Sequence, residues 1–429
     1  MSDEIPEEWS EKALKHFCVG VRGVSYKPQD LHQLPSSNTV TLLRSNNIQD
    51  PGLVLRDVQY VNNSKVKSVQ LARPKDLAVC MSNGSRRLVG KSSSFRAIPE
   101  KSKYTVGAFC SIFRPTDNVH PDFVEQLFKS NKYVQQVELS LAGSAINNLK
   151  NSDMEEYRFL CPPKPEQQKI ASILTSVDEV IEKTESQINK IQDLKKGMMQ
   201  ELLTRGIGHT EFKDSPVGRI PKGWECVQLK DVTRKFQNGY AFSASGYMER
   251  GIPIISMALI GLDGNFNKDY KKTKFWDKEA RESLNRYLVK NGDLLIAMTD
   301  VTPTMELIGR CCIADIPGES LLNQRVGLIS LNQDKLYKYF FAYFSNHGYW
   351  RSYSKGVSGL GAQANIGTSQ ILDGWVALPP LSEQQEITSS IKSVDDLIAT
   401  QTSVVESKKK IKKALMQDLL TGKVRVKTD

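Results

Sequence analysis

PPKPEQQKIASILTSVDEVI, residues 162–181, returns almost unchanged as PPLSEQQEITSSIKSVDDLI, residues 379–398. The aligned copies run on to Thr204 and Thr421 and agree at PP, EQQ, SVD, KK, MQ and LLT. A phrase this long, said twice in 429 residues, predicts a chain made of two copies of one pattern. Each copy reads as a helix. Pro165 suits a first turn, Ser382 with Gln385 has capping-box spacing, and Gly206 and Gly422 stand just past LLT, where a C′ glycine belongs. Each helix would be about 40 residues, or roughly 60 Å, long.

Two apolar stripes run along these helices. In the first copy Ile173, Val177, Val180, Thr184, Gln187, Ile191, Leu194 and Met198 follow 4–3 spacing. In the second, Val394, Leu397, Gln401, Val404, Ile411 and Leu415 do the same. This predicts a coiled-coil seam, imperfect at its centre. Beside it lie Leu174, Ile181, Ile188 and Leu202, matched by Ile391, Ile398, Val405 and Leu419. A two-helix hairpin needs only the first stripe. The second must be covered by the globular parts or by a partner, and partner docking is the preferred expectation.

The segments between the helices also match. IPEEWSEKALK (5–15) parallels IPKGWECVQLK (220–230), and KDLAVCMSNG (75–84) parallels GDLLIAMTDV (292–301). LVGK (88–91) parallels LIGR (307–310), Asn148-Leu149 faces Asn365-Ile366, and Ser152 faces Ser369. LAVCM, LLIAM and VGLISL are short apolar runs that predict buried strands, and residues 123–137 and 339–350 predict short helices. The expected architecture is an α/β (α+β) unit in two copies with pseudo-two-fold symmetry, joined by two long antiparallel helices. Its expected parts are 1–160 and 207–378, globular, with 161–206 and 379–429 carrying the helices.

Net charge is +10, which permits a nucleic-acid partner without requiring one. No run approaches the ~18 apolar residues of a membrane span, and the acidic, polar start does not read as a leader, so a cytoplasmic protein is expected. The seven cysteines make no CxxC and the five histidines no HxxxH, so no metal site is expected. VGKSSS (89–94) lacks the glycine that a phosphate loop needs, since Ser85 stands there. No [ND]PP[YF] methylation motif occurs, because the PP pairs are followed by Lys164 and Leu381.

Two helices paired antiparallel would place two unlike units at opposite ends. That geometry suits duplex DNA read at two separated, different half-sites. Base edges are read by polar side chains in loops at strand ends. The candidates are Arg44, Asn46, Asn47, Ser82, Asn83, Arg86, Arg87 and Lys91 in the first half. In the second they are Thr299, Asp300, Thr302, Thr304, Asn323, Gln324 and Arg325, with Lys271, Lys272 and Lys274 as phosphate neutralisers.

The paired PPxxEQQxI…SVDxxI…KK…MQxLLT helices, the IPxxW starts, the GDLLIAM strand and NQRVGLI (323–329) together resemble the specificity subunits of type I restriction–modification systems. The resemblance covers essentially the whole chain. It implies a non-catalytic subunit whose two target recognition domains each read half of a split sequence. It further implies that the helices space the domains and dock two methyltransferase subunits, which carry S-adenosylmethionine. Restriction subunits would add ATP-driven translocation and cleavage. One departure stands out: the first half has TVGAFCSIF (105–113) where NQRVGLI is expected. A stand-alone DNA-binding adaptor and, less favoured, a fused methyltransferase–nuclease are the rival readings.

Overall fold

The computed structural model describes residues 5–49, 52–96, 102–142, 147–268, 273–359 and 364–428. It forms two units, Met1–Gln187 with Gln401–Asp429, and Ile188–Thr400. The repeated phrase does form long helices, Lys164–Arg205 and Leu381–Leu420, and each unit takes one segment of both. Gly206 and Gly422 follow them with φ of +67° and +73°, values that glycine adopts without a Cβ penalty. The second helix starts one residue before Ser382, so that serine lies inside the first turn and is not its cap.

The first unit is built on a four-stranded antiparallel sheet in the order Cys18–Arg22, Cys110–Pro115, Leu77–Cys80, Ser92–Ser94. The second repeats it as Thr233–Asn238, Val326–Leu331, Leu294–Ala297, Cys311–Ile313. The central strands are the apolar runs LAVC and LLIA, buried at every residue, as strands covered on both faces must be. A second sheet in each unit carries one parallel pair, Thr39–Leu43 with Tyr104–Val106 and Ile252–Ile255 with Ser320–Leu322. Around that shared pair the sheets diverge. The first unit adds the antiparallel strand Gln59–Asn62 beside 39–43, and the second adds Leu288–Val289 beside 320–322.

The two predicted short helices are each divided. Pro121–Lys129 and Asn131–Ala142 replace one run, and Lys338–Ser345 and Gly348–Val357 the other.

Within each unit the long-helix segments pair antiparallel. In the first, Asp178 meets Lys412 at 2.6 Å and Glu185 meets Lys409 at 2.9 Å. In the second, Asp395 meets Lys195 at 2.6 Å. The two stripes differ in burial. Leu174 and Leu419 are buried in the first core and Ile391 in the second; Ile181 and Val405 are buried too, while Ile188, Leu202 and Ile398 are half-buried. Five of the eight residues of the stripe expected to dock a partner are therefore covered by the chain's own units. In the stripe expected to be the seam, Ile173, Val177, Ile191, Met198, Val394 and Leu415 are half-buried. Val180, Leu194, Leu397, Val404 and Ile411 are 38% to 57% exposed. Heptad spacing finds both stripes but carries no information about which one the globular core will cover.

Candidate nucleic-acid interface

The repeated PP-EQQ phrase is a joint. In each copy the second proline's carbonyl opens the helix, accepting from Gln167 N at 3.0 Å and from Gln384 N at 3.0 Å. The first proline's carbonyl accepts from the same glutamine's side-chain amide, at 2.9 Å in one copy and 2.8 Å in the other. The amide oxygen then accepts a backbone N–H at the start of a neighbouring helix, from His120 at 2.9 Å or Tyr337 at 2.8 Å. Both glutamines are buried, and their amide donations to the proline carbonyls are made away from water, where leaving one unmade costs about 1–3 kcal/mol. The joint fixes the start of a neighbouring helix, Pro121–Lys129 or Lys338–Ser345, to the long helix in each unit.

Past the central strand, the two units share one backbone. Met81 N donates to Phe109 O at 2.8 Å, and Met298 N to Arg325 O at 3.0 Å. Cys110 N donates to Gly107 O at 2.8 Å, and Val326 N to Asn323 O at 2.9 Å. Leu149 N donates to Met81 O at 2.7 Å, and Ile366 N to Met298 O at 3.0 Å. TVGAFCSIF is thus the counterpart of NQRVGLI, with Gly107-Ala108-Phe109 standing where the second unit has Asn323-Gln324-Arg325. A glycine approaches this turn in both units. A Cβ on Gly23 would lie 2.2 Å from Gly107 O, and one on Gly239 would lie 2.1 Å from Asn323 O, so neither position accepts another residue.

In the first unit the candidate segments converge on this turn. Ser82 N donates to Phe109 O at 3.1 Å, and Asn83 Nδ2 to Ser45 Oγ at 3.2 Å, tying residues 82–87 to residues 44–47. Lys91 Nζ donates to Gln49 Oε1 at 3.3 Å. Asn46, Arg86 and Arg87 are exposed, and Ser82, Asn83, Arg44 and Lys91 are half-buried. Arg86 lends one N–H to Glu138 O at 3.2 Å and Arg44 one to Asp57 O at 3.3 Å. Asn47 is a correction. It is fully buried, donates to Val54 O and Arg56 O at 2.9 and 3.0 Å, and accepts from Arg44 N at 2.9 Å, so it shapes the loop and offers nothing to a base.

In the second unit Gln324, Thr302, Thr304 and Lys274 are exposed, and Asn323 and Arg325 are half-buried. Asn323 Oδ1 accepts Arg325 N at 3.1 Å. Lys271 and Lys272 lie outside the described residues. Thr299 and Asp300 are further corrections, since both are buried. Thr299 Oγ1 donates to Asn365 Oδ1 at 2.8 Å. Asp300 accepts Thr302 N and Thr302 Oγ1, both at 2.7 Å, and Leu307 N. Burial alone would raise the Asp300 carboxyl, but those backbone N–H groups outweigh it and hold its pKa below the ordinary value. It is the anchor of the 300–307 loop.

Two features were missed. Arg351 donates to Met305 O at 3.1 Å, Glu306 O at 2.9 Å and Ile308 O, closing the same loop from behind. Burial, with Arg310 nearby, pushes its pKa down to about 10. Tyr240, Phe242, Trp276 and Tyr287 also form a half-exposed aromatic cluster next to Asn323-Gln324, with ring centroids 4.9–5.3 Å apart and Gln324 N donating to Tyr240 O at 2.9 Å. The signal for it was NGYAF (238–242), a glycine followed by alternating aromatics.

Among the described residues, no helix is long and apolar enough to cross a membrane. The family model for the type I restriction modification DNA specificity domain matches twice, over residues 32–193 and 221–409. The type I restriction enzyme MjaVIII specificity subunit of Methanocaldococcus jannaschii is 34% identical over 66% of this chain, which spans 66% of that protein's length. The EcoKI specificity subunit of Escherichia coli is 25% identical over 92% of this chain and 83% of its own. Of solved structures, the S subunit of a type I system from M. genitalium aligns with a TM-score of 0.58 at 13% identity, covering 98% of this chain and 97% of that one. A chain from a study of complex assembly and conformational transition of the type I R-M system gives 0.56 at 15%, covering 98% and 100%. These likenesses carry the fold, and the two matches of the family model, one on each sheet-and-helix unit, carry the kinship: the chain belongs to the type I restriction-modification DNA specificity family.

Proposed function

We propose that this chain is the DNA-reading subunit of a type I restriction–modification complex, each unit reading one half of an asymmetric bipartite target. The observation that carries this is the shared turn, on which one hydrogen-bonded backbone presents Gly-Ala-Phe in one unit and Asn-Gln-Arg in the other. Identical supports with different side chains are what two readers of different half-sites require. The long helices set the spacing. Their exposed residues Val180, Leu194, Leu397, Val404 and Ile411 carry the contact with two methyltransferase subunits, in place of the stripe first expected to do so. The chain supplies recognition alone. S-adenosylmethionine belongs to the methyltransferase partners and ATP to the restriction subunits.

Co-expression with a cognate methyltransferase subunit tests this. Genomic adenine methylation should appear at one split motif and vanish without this chain. Replacing residues 220–375 with another recognition unit should change one half of the motif only. A change in both halves, or methylation by the purified chain alone, would sink the proposal.

Lys274 gives a second expectation. Lys274→Ala should weaken binding about equally on all sequences and lower the slope of log K against log salt by about 1, as loss of one phosphate contact does. A changed sequence preference with an unchanged salt slope would make it a base reader instead.

A further inference from the structure

We propose that Phe109 is the base reader of the first unit's turn and that it recognises a thymine by its 5-methyl group. The inference rests on the reading above, in which this turn faces DNA. Phe109 is 68% exposed, a large apolar ring with most of its surface in water. Single exposed apolar residues are ordinary, so exposure alone carries nothing. Position does. Phe109 occupies the backbone place of Arg325, and its carbonyl accepts both Met81 N and Ser82 N. The turn behind it is held by Gly107 N to Leu43 O at 2.9 Å and Cys110 N to Gly107 O at 2.8 Å. The ring therefore projects from a rigid support that the other unit uses for an arginine.

The surroundings fit an edge-on contact. Ser82, Asn83 and Ser45 supply polar atoms on one side, and Tyr26 stands close enough that a Cβ on Gly107 would lie 3.3 Å from its ring. In the major groove only thymine presents a methyl group, and phenylalanine is among the side chains that contact it. The two units then read by different chemistry at one backbone position, apolar contact in the first and hydrogen bonding in the second.

The test uses the full chain with its methyltransferase partner and duplexes in which each thymine of the first half-site is replaced in turn by deoxyuridine, which pairs identically but lacks the methyl. At one position the wild type should lose about fourfold in affinity, the effect of one buried methyl group. Phe109→Ala should lose about as much on the thymine duplex and no longer distinguish the two bases, and Phe109→Leu should restore part of the difference. Thermal melting of both variants should match the wild type, because the ring is exposed. Substitutions in the second half-site should affect all three proteins equally. If no thymine position matters to the wild type, or if Phe109→Ala still discriminates, the proposal fails. A ring wedged between base pairs gives the first of these outcomes, with 2-aminopurine fluorescence rising at the step. If no protein discriminates either half-site, the underlying two-reader assignment fails with it.

Discussion

Gly206→Ala should destabilise the second unit by about 3 kcal/mol, whereas Gly197→Ala, nine residues earlier on the same helix, should stabilise it by about 0.5–1 kcal/mol. Gly197 sits mid-helix and a Cβ there meets nothing within 4 Å, so alanine only relieves the entropic cost of glycine. Gly206 has φ +67°, and its Cβ would lie 2.4 Å from Glu383 Oε1 and 2.6 Å from Trp224 Cζ2. Those two groups extend the joint, Glu383 being the residue before its glutamine. Glu383 accepts Trp224 Nε1 at 3.0 Å, Ile207 N at 3.0 Å and a bond with His209 Nε2 at 2.9 Å. The substitution combines left-handed backbone strain with displacement of a carboxylate that serves three partners. Hydrogen exchange resolved by peptide should show faster exchange in residues 200–228 and 381–391. Unchanged protection there would mean that the joint contributes little.

The first unit reaches the same anchor with different polar chemistry. Gly422 has φ +73°, a Cβ there would lie 2.7 Å from Pro6 Cγ and 3.2 Å from Trp9 Cε3, and Glu166 pairs with Arg425, while Trp9 Nε1 has no hydrogen-bond partner among the described residues. That contrast explains which parts of the fold could be read in the sequence. Glycines past LLT, the IPxxW tryptophans and the apolar strands are constrained by backbone geometry and burial, and identities survive there. The partners of the repeated carboxylate, Glu166 or Glu383, come from a tail and a loop that differ between the halves, and no spacing rule predicts them.

The same distinction accounts for the misreadings. Residues 123–137 have continuous helical periodicity, yet Ser130 interrupts them: its Oγ accepts Tyr133 N at 3.2 Å and starts a new helix. Asn346 ends the run at 338–345 by donating to Ala342 O at 2.7 Å and Cys311 O at 2.8 Å. Asn47, Thr299 and Asp300 looked like base readers because polar loop residues serve both DNA and the loop itself, and composition does not separate the two uses. Phe109 was passed over for the opposite reason. In TVGAFCSIF an apolar ring reads as core, and only its exposure in the folded turn shows that it points outward. The stripes could be found by spacing, but their assignment depended on which face the sheets cover.

Asp178→Asn should destabilise the first unit by about 3 kcal/mol, and Asp395→Asn the second by less, although the two aspartates are repeat equivalents. Both face a lysine on the other long helix at 2.6 Å, Asp178 with Lys412 and Asp395 with Lys195. Asp178 carries more. Its other oxygen meets Lys129 at 3.1 Å and Gln126 Nε2 at 3.3 Å, and Glu125 closes the set with Arg96 at 2.7 Å and Lys129 at 2.9 Å. Losing the Asp178 charge takes the carboxylate from Lys412, leaves Lys129 with Glu125 alone and weakens the bond from Gln126, whereas losing the Asp395 charge takes it from one equally shielded lysine, Lys195, and leaves the hydroxyl of Tyr343, which donates at 2.8 Å, a neutral acceptor. The pH dependence follows. Burial raises the pKa of Asp178 and of Glu125, but Lys129 foremost outweighs it, and both stay below the ordinary carboxylate value. A depressed acid contributes stability that is complete above its unfolded pKa, about 4, and that disappears as pH falls through the folded value. Glu182, pushed upward by burial, acts in the opposite sense and offsets a part. The wild type's first unit should therefore lose stability steeply below about pH 4, and Asp178→Asn, already lower at neutral pH, should lose less on the same descent. Peptide-resolved hydrogen exchange between pH 6 and 3, corrected for the intrinsic rate, reads this difference directly. Parallel curves for the two proteins would place the acid sensitivity elsewhere and remove the network as its source.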